Sequence, residues 1–374
     1  MKDLAGMPYG IALAGGGFKG LLHTAVLHGL RLSRLDARMR GPLQCAVGCS
    51  AGAIVAYLLS IGMKPIEIFG RVVASRLPYL LGESRSYLNL IGGRGLLDWA
   101  PVADFLCACT LEFTGTDTGA PDASWTFRDH FESTGVTFLC VVTNFTTARP
   151  EYWSHRTHPD THVLEAIRIS CSHPLLYPPV YSDGTWWGDG SILDSFGFRY
   201  AVQHFPALDW VGLAVSKPPP APGDSPWTIP RLLEYMEWIH HCVADPTYPP
   251  DATPSRYYLP WRAGEVGANT DPDSADPEGH GAGWGRAAAS SGSRADEWEI
   301  FTRFGIVVDR PRPRPAIGGP VYLLVRCPTF GLTVTEAPAS TTNWFELFFA
   351  ASRWAHEGFD RIGPVSGLAK AKTD

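Results

Sequence analysis

Residues 41–63 read GPLQCAVGCSAGAIVAYLLSIGM, an uncharged run long enough by count to cross a bilayer. Gly48 and Gly52 even supply the G-x-x-x-G spacing of paired membrane helices. The run is nevertheless not uniform. LQCAVG is a short apolar segment, AGAIVAYLLSIG is helix-favouring, and the halves meet at a serine flanked by glycines. A bilayer span needs one unbroken helix, so the division predicts a strand, a tight turn and a buried helix instead.

The same order occurs upstream. YGIALAGGG (9–17) is an apolar run ending in glycines, and GLLHTAVLHGLRL (20–32) repeats Leu22, Val26, Leu27 and Leu30 at helical spacing. Two consecutive strand-turn-helix units predict an α/β fold with a mostly parallel central sheet and helices on both faces. Further strands are expected at VTFLCVVTNF (136–145), with PEYWSH as its hairpin partner, and at DWVGLAVS (209–216). HVLEAIRIS reads as a short helix. KPPPAPGDSP, from Lys217, is a stiff connector where an ordered unit is expected to end. An aromatic helix is expected around RLLEYMEWIHHCV. Residues 245–297 are so rich in Pro, Gly, Asp, Ser and Ala that a flexible insert is expected. Order is expected to resume at EWEIFTRFGIVV, with a strand VYLLVRC and a closing helix TNWFELFFAASRWAHEGF whose aromatic face docks on the body.

The chain has 374 residues, 31 basic and 37 acidic, for a formal charge of −6 without long blocks of either sign, so nucleic acid is not expected as a partner. Eight scattered cysteines, with no C-x-x-C pair, read as buried thiols in a reducing compartment. The N-terminus is a poor match to a secretory signal, so an intracellular protein, soluble or peripheral to a membrane and without a transmembrane segment, is expected.

Three motifs carry chemistry. Gly48-Cys49-Ser50-Ala51-Gly52 fits G-x-S-x-G, which on a strand-to-helix turn projects a serine hydroxyl over the carboxyl edge of a sheet. The competing reading is a serine N-cap in a tight turn. GGGFKG (15–20) also satisfies G-x-G-x-x-G through Gly15, Gly17 and Gly20. A dinucleotide reading is disfavoured because Asp36 lies in a polar stretch rather than at the end of a second buried strand. Side-chain-free residues at a helix start instead let backbone amides converge on the anion of an acyl intermediate. Lys19 adds charge there, braces the loop, or is an ordinary exposed lysine. In YSDGTWWGDGSILDSFG, Asp183-Gly184 reads as a hairpin turn, and Asp189-Gly190 places a carboxylate at the end of the returning strand.

Together these motifs resemble the patatin-like phospholipase family, from about Tyr9 to about Ser216, with His23, Gly29 and AIRISCSHPLLYPPV agreeing around them. The resemblance implies a three-layer sandwich with a catalytic domain over residues 8–216 and a C-terminal extension over 217–374. It implies a Ser50/Asp189 dyad, an oxyanion loop of Gly15, Gly16, Gly17, Lys19 and Gly20 assisted by Ala51, and an acidic motif continued by Gly190 and Ser191. Ser191 departs from the usual glycine or alanine, and Asp194 and Gly197 replace the common asparagine and proline. The implied activity is phospholipase A type hydrolysis at a lipid or membrane interface, and because no His/Cys/Asp cluster has ligand spacing neither a metal nor a cofactor is expected; an activating protein partner is left open. Apolar text at LPYLLGESRSYLNLIGG, and thirteen tryptophans overall, are candidates for an acyl groove or interfacial docking. Two other readings stay open. One is a catalytically silent lipid-binding or scaffold protein. The other is an esterase whose base is His204, His240, His241 or His356.

Overall fold

The computed structural model describes residues 8–32, 41–83, 86, 88–89, 95–114, 125–215, 299–301, 306–309, 322–327 and 341–362. Asp36, the aromatic helix at RLLEYMEWIHHCV with His240 and His241, and the 245–297 insert lie outside the described residues.

The run at 41–63 is divided as its composition predicts. Strand β2 (Leu43–Cys49) ends one residue before Ser50, and helix α2 (Ala51–Ser60) starts one residue after it. Upstream, β1 (Tyr9–Leu13) leads through a 3-10 turn, Gly17–Leu21, into α1 (Leu22–Leu32). Then come α3 (Pro65–Ala74), α4 (Leu77–Glu83), α5 (Ala100–Thr114) and α6 (Phe127–Thr134). The hairpin β3 (Thr137–Asn144) and β4 (Arg149–Trp153) precedes α7 (Val163–Ser170), and the hairpin β5 (Val180–Ser182) and β6 (Thr185–Asp189) precedes α8 (Phe198–His204). Strands β7 (Asp209–Val215), β8 (Glu299–Phe301), β9 (Ile306–Asp309) and β10 (Tyr322–Cys327) and the helix α9 (Thr341–Ile362) complete the order.

The strands make one mixed sheet in the order β5-β6-β3-β2-β1-β7-β10-β9-β8, with β4 folded back on β3. Its centre, β3-β2-β1-β7-β10, is parallel throughout. The antiparallel pairings, β3 with β4 and β6, β5 with β6, and β8-β9-β10, lie toward the edges. Because successive strand side chains point to opposite faces, the central strands are apolar at nearly every position. Ile11, Leu13, Ala46, Phe138, Cys140, Val211 and Leu213 pack with α1, α2, α3, α7 and α9 on one face. The alternating set, Ala12, Cys45, Val47, Leu139, Val141 and Trp210, packs with Phe196, Phe198 and Ala201 of the α8 region on the other. This is a three-layer α/β fold. Among the described residues no helix is long and apolar enough to cross a membrane.

β10 pairs in parallel with β7, Tyr322 opposite Trp210, so a strand beyond the proline-rich connector extends the central sheet. Helix α9 buries Trp344, Phe348, Ala351 and Ala355, an i, i+4, i+7, i+11 stripe that makes one apolar face. Phe348 stacks 4.3 Å from Phe69 and 5.5 Å from His28, which places that face on α1 and α3.

Candidate active site

Ser50 lies between β2 and α2 with φ 53° and ψ −128°, a conformation that costs a side-chain-bearing residue of order 1–3 kcal/mol unless its surroundings enforce it. Here they do. Ser50 N donates to Ser170 Oγ at 2.9 Å, and the Ser170 hydroxyl donates in turn to Val141 O at 2.6 Å. Ala53 N reaches back to Ser50 O at 2.8 Å. A Cβ on Gly52 would stand 2.3 Å from Leu13 O, and one on Gly48 2.4 Å from Ala53 Cα, so the turn closes only without those side chains. The Ser50 hydroxyl makes no capping bond to α2. Ser50 thus holds the N-cap position of α2 without its side chain serving as the cap.

The glycine loop meets the same point. A Cβ built on Gly15 would lie 3.3 Å from Ser50 Cβ and 3.5 Å from Ser191 Cβ, so all three motifs converge on Gly15. Gly20 packs on Ala51, where a Cβ would come within 2.7 Å. Gly16 precedes the 3-10 turn, Gly17 opens it at φ 55°, and Lys19 N donates to Gly16 O at 3.1 Å. The Lys19 side chain is buried, which removes the exposed-lysine alternative. Two contacts fix the loop's entry: Gly15 N donates to Ser195 O at 3.0 Å, and His23 Nε2 donates to Ala14 O at 2.8 Å. Burial lowers the His23 pKa to about 4, more than its backbone bond raises it, so at neutral pH the ring is the uncharged donor.

Asp189 ends β6 opposite Val142 and is fully buried. Its amide donates to Ser172 O at 3.1 Å, and its carbonyl accepts from Thr143 Oγ1 at 2.8 Å. The two carboxylate oxygens are unequal. Oδ1 accepts from Ser191 N at 2.8 Å and from the Cys49 thiol at 3.7 Å, whereas Oδ2 has no hydrogen-bond partner among the described residues.

The segment Ser170-Cys171-Ser172 thus ties Ser50 to Asp189, since Ser170 holds the Ser50 amide and Ser172 holds the Asp189 amide. Burial, followed by the Asp189 charge, drives the pKa of the Cys171 thiol between them far upward. Burial chiefly, with Asp189 adding, pushes the Cys140 thiol up to about 12. These thiols stay protonated. Sequence reasoning did not single out Ser170, Cys171 or Cys49; the only local signal was two serines around a cysteine at the end of a short apolar helix.

Asp194 and Gly197 each have a local reason. Asp194 Oδ1 accepts from Phe196 N at 3.0 Å and Gly197 N at 2.8 Å, and Oδ2 accepts from Tyr152 OH at 2.6 Å. Gly197 sits at φ 64°, which a proline ring cannot adopt. Of the candidate bases, His204 lies exposed on α8 with Nδ1 2.8 Å from Tyr200 O, and His356 lies on α9. Among the described residues no cluster of three His, Cys, Asp or Glu is placed to hold a metal ion. A cavity of about 430 Å³ between Leu43, Ile61, Phe113 and Trp125 lies at the opposite end of β2 from Ser50. A smaller one, about 160 Å³, is lined by Trp99, Arg168 and Tyr177, close in sequence to Ser170.

A mixed three-layer sheet with a strained serine at a strand-to-helix turn defines a class of α/β hydrolytic folds. Residues 11–202 match the profile of the patatin-like phospholipase family, and the chain belongs to that family. It is 24% identical over 201 residues to the probable lipid hydrolase 463L of Invertebrate iridescent virus 6, covering 52% of this chain and 63% of that protein. It is 25% identical over 208 residues to lysophospholipase nte1 of Aspergillus fumigatus, covering 55% of this chain and 12% of that protein. The chain therefore spans less than two thirds of either relative. The crystal structure of VipD from Legionella pneumophila matches 57% of this chain and 50% of its own, with a TM-score of 0.33 at 16% identity.

Proposed function

We propose that this protein hydrolyses the fatty acyl esters of glycerolipids, with phospholipase A type activity, through Ser50 and Asp189. The observation that carries the reading is Oδ2 of Asp189. It is a buried acceptor with no hydrogen-bond partner among the described residues, on a carboxylate bonded to the residue preceding Ser50. An acceptor left unmatched in the interior costs about 1–3 kcal/mol, a cost that a proton from the nucleophile would offset.

Ser50 Oγ attacks the ester carbonyl as its proton passes to Asp189. The carbonyl oxygen, now an anion, is received by amides of Gly16 and Gly17, with Ala51 at the start of α2 contributing the helix N-terminus. Asp189 returns the proton to the leaving alcohol, and the fatty acyl group remains on Ser50. Water, deprotonated by Asp189, then attacks the acyl-enzyme, releases the fatty acid and restores the hydroxyl. Gly15, Gly20, Gly48, Gly52 and Lys19 maintain the close approach of loop and elbow, while Gly190 and Ser191 fix the acid. Exposed Tyr79, Leu80 and Leu88, from the apolar text following α3, favour contact with a lipid surface. We assign the catalytic unit to residues 8–216 and an intracellular, peripheral setting.

A fluorophosphonate probe tests the assignment. Labelling at Ser50 that disappears in Ser50→Ala is expected, and unlabelled protein would favour a silent lipid-binding scaffold. Loss of the base by Asp189→Asn is expected to lower turnover about 10²–10⁴-fold. Activity that survives Asp189→Asn but is abolished by a single histidine substitution would instead establish the His-dependent esterase. Mass spectrometry of products from a mixed glycerolipid panel identifies the ester cleaved.

A further inference from the structure

Cys49, the variable second residue of G-x-S-x-G, faces the carboxylate of Asp189. Its side chain is fully buried, and its thiol donates to Asp189 Oδ1 at 3.7 Å across two strands that are not neighbours, β2 and β6. Oδ1 also accepts from Ser191 N at 2.8 Å, so among the described residues this oxygen is held from two sides and the other, Oδ2, from none. A carboxylate can rotate about its last bond, and two donors on one oxygen choose which oxygen remains open.

We propose that Cys49 is a positioning residue, whose thiol pins Oδ1 of Asp189 so that Oδ2 is the oxygen presented to Ser50. This rests on the Ser50/Asp189 reading above and adds to it a role for a residue that the motif leaves unspecified. The contact has a second effect. A hydrogen bond donated to the charged carboxylate favours the ionised form, the form that accepts a proton. The other groups facing this carboxylate are the Cys140 thiol from β3, the Cys171 thiol at the end of α7 and the Ser191 amide. None of these bears a charge at neutral pH. No neighbouring cation among them replaces what the Cys49 donor supplies, so its loss should be visible in the pH dependence.

The test is the pH profile of kcat/KM on a soluble short-chain ester, for wild type and Cys49→Ala. The acid limb of the variant is expected to move to higher pH by about half to one unit, as removal of one weak donor to an ionised group implies. An acid limb that stays in place while kcat falls overturns the proposal and makes Cys49 a packing residue. The bond is also read without turnover, in the S–H stretching region of the infrared spectrum. A wild-type band that shifts in Asp189→Asn supports the contact, and an unshifted spectrum overturns it; this readout decides the matter if Cys49→Ala does not fold. Failure of the underlying reading looks different. There Ser50 is not labelled by fluorophosphonate, or Asp189→Asn hydrolyses the soluble ester as fast as wild type.

Discussion

Ser170 is the residue on which the strained serine depends. Its hydroxyl accepts from Ser50 N and donates to Val141 O, so one side chain satisfies two backbone groups that β2, α2 and β3 leave over. Ser170→Ala leaves both buried groups unmatched, at a cost of about 1–3 kcal/mol, and removes the contact that holds Ser50 at positive φ. The expected result is a lower urea midpoint together with slower fluorophosphonate labelling of Ser50. A lower midpoint with an unchanged labelling rate would show that the elbow is held by other contacts. This residue was within a quoted motif yet invisible as a participant, because its partners are 120 and 29 positions away. Ser50, Asp189 and the glycine loop could be singled out as candidates for the opposite reason. Each is bracketed by its own strand, turn or helix, and that context is local.

At the scale of elements, the helix pair α1 and α9 depends on one close approach. A Cβ on Gly29 would stand 2.2 Å from Ser352 O and 2.9 Å from Ala355 Cβ, so the backbones of the two helices approach each other at that point. Gly29→Ala must push α9 outward, at a cost of about 1–3 kcal/mol as an overpacked contact. The expected outcome is a lower thermal midpoint and faster proteolysis within 341–362. Unchanged proteolysis would mean that the aromatic contacts at Phe69 and His28 suffice to dock the helix. The helix and its aromatic face could be read from periodicity, and β10 from its apolar run. The place of β10 beside β7 could not, because strand order is fixed by which edges meet and no local pattern records that. The antiparallel flanks were legible only where a short turn joins neighbouring strands, at Asp183-Gly184 and between VTFLCVVTNF and PEYWSH.

Over the whole molecule, buried histidines set the response to acid. His23 is lowered to about 4 by burial. His130, between Tyr57, Trp125 and Phe138 with Nε2 2.7 Å from Ser60 Oγ, is lowered to about 3 by burial and by His155. An unfolded histidine titrates near 6.5, so below that pH the unfolded chain binds protons that the folded chain refuses. The stability these rings contribute is complete above about pH 6.5 and is lost as the pH falls toward their folded values. By pH 5 the loss is about 2 kcal/mol per ring, a sizeable part of a typical total of about 5–15 kcal/mol. Urea unfolding at pH 7 and pH 5 should show this fall, and His130→Gln should reduce it. An equal pH dependence in that variant would remove His130 from the account.

The position of β10 also bears on how the polypeptide is made. β7 is complete at Val215, but the strand that covers its outer edge begins at Tyr322. At typical ribosomal speeds that edge waits roughly 5–20 s for its neighbour. During the interval the nascent chain displays an unpaired row of amides and carbonyls beside apolar side chains, the arrangement that recruits stray strands. Holdase chaperones acting during translation should therefore matter more to the yield of this protein than to its stability once released.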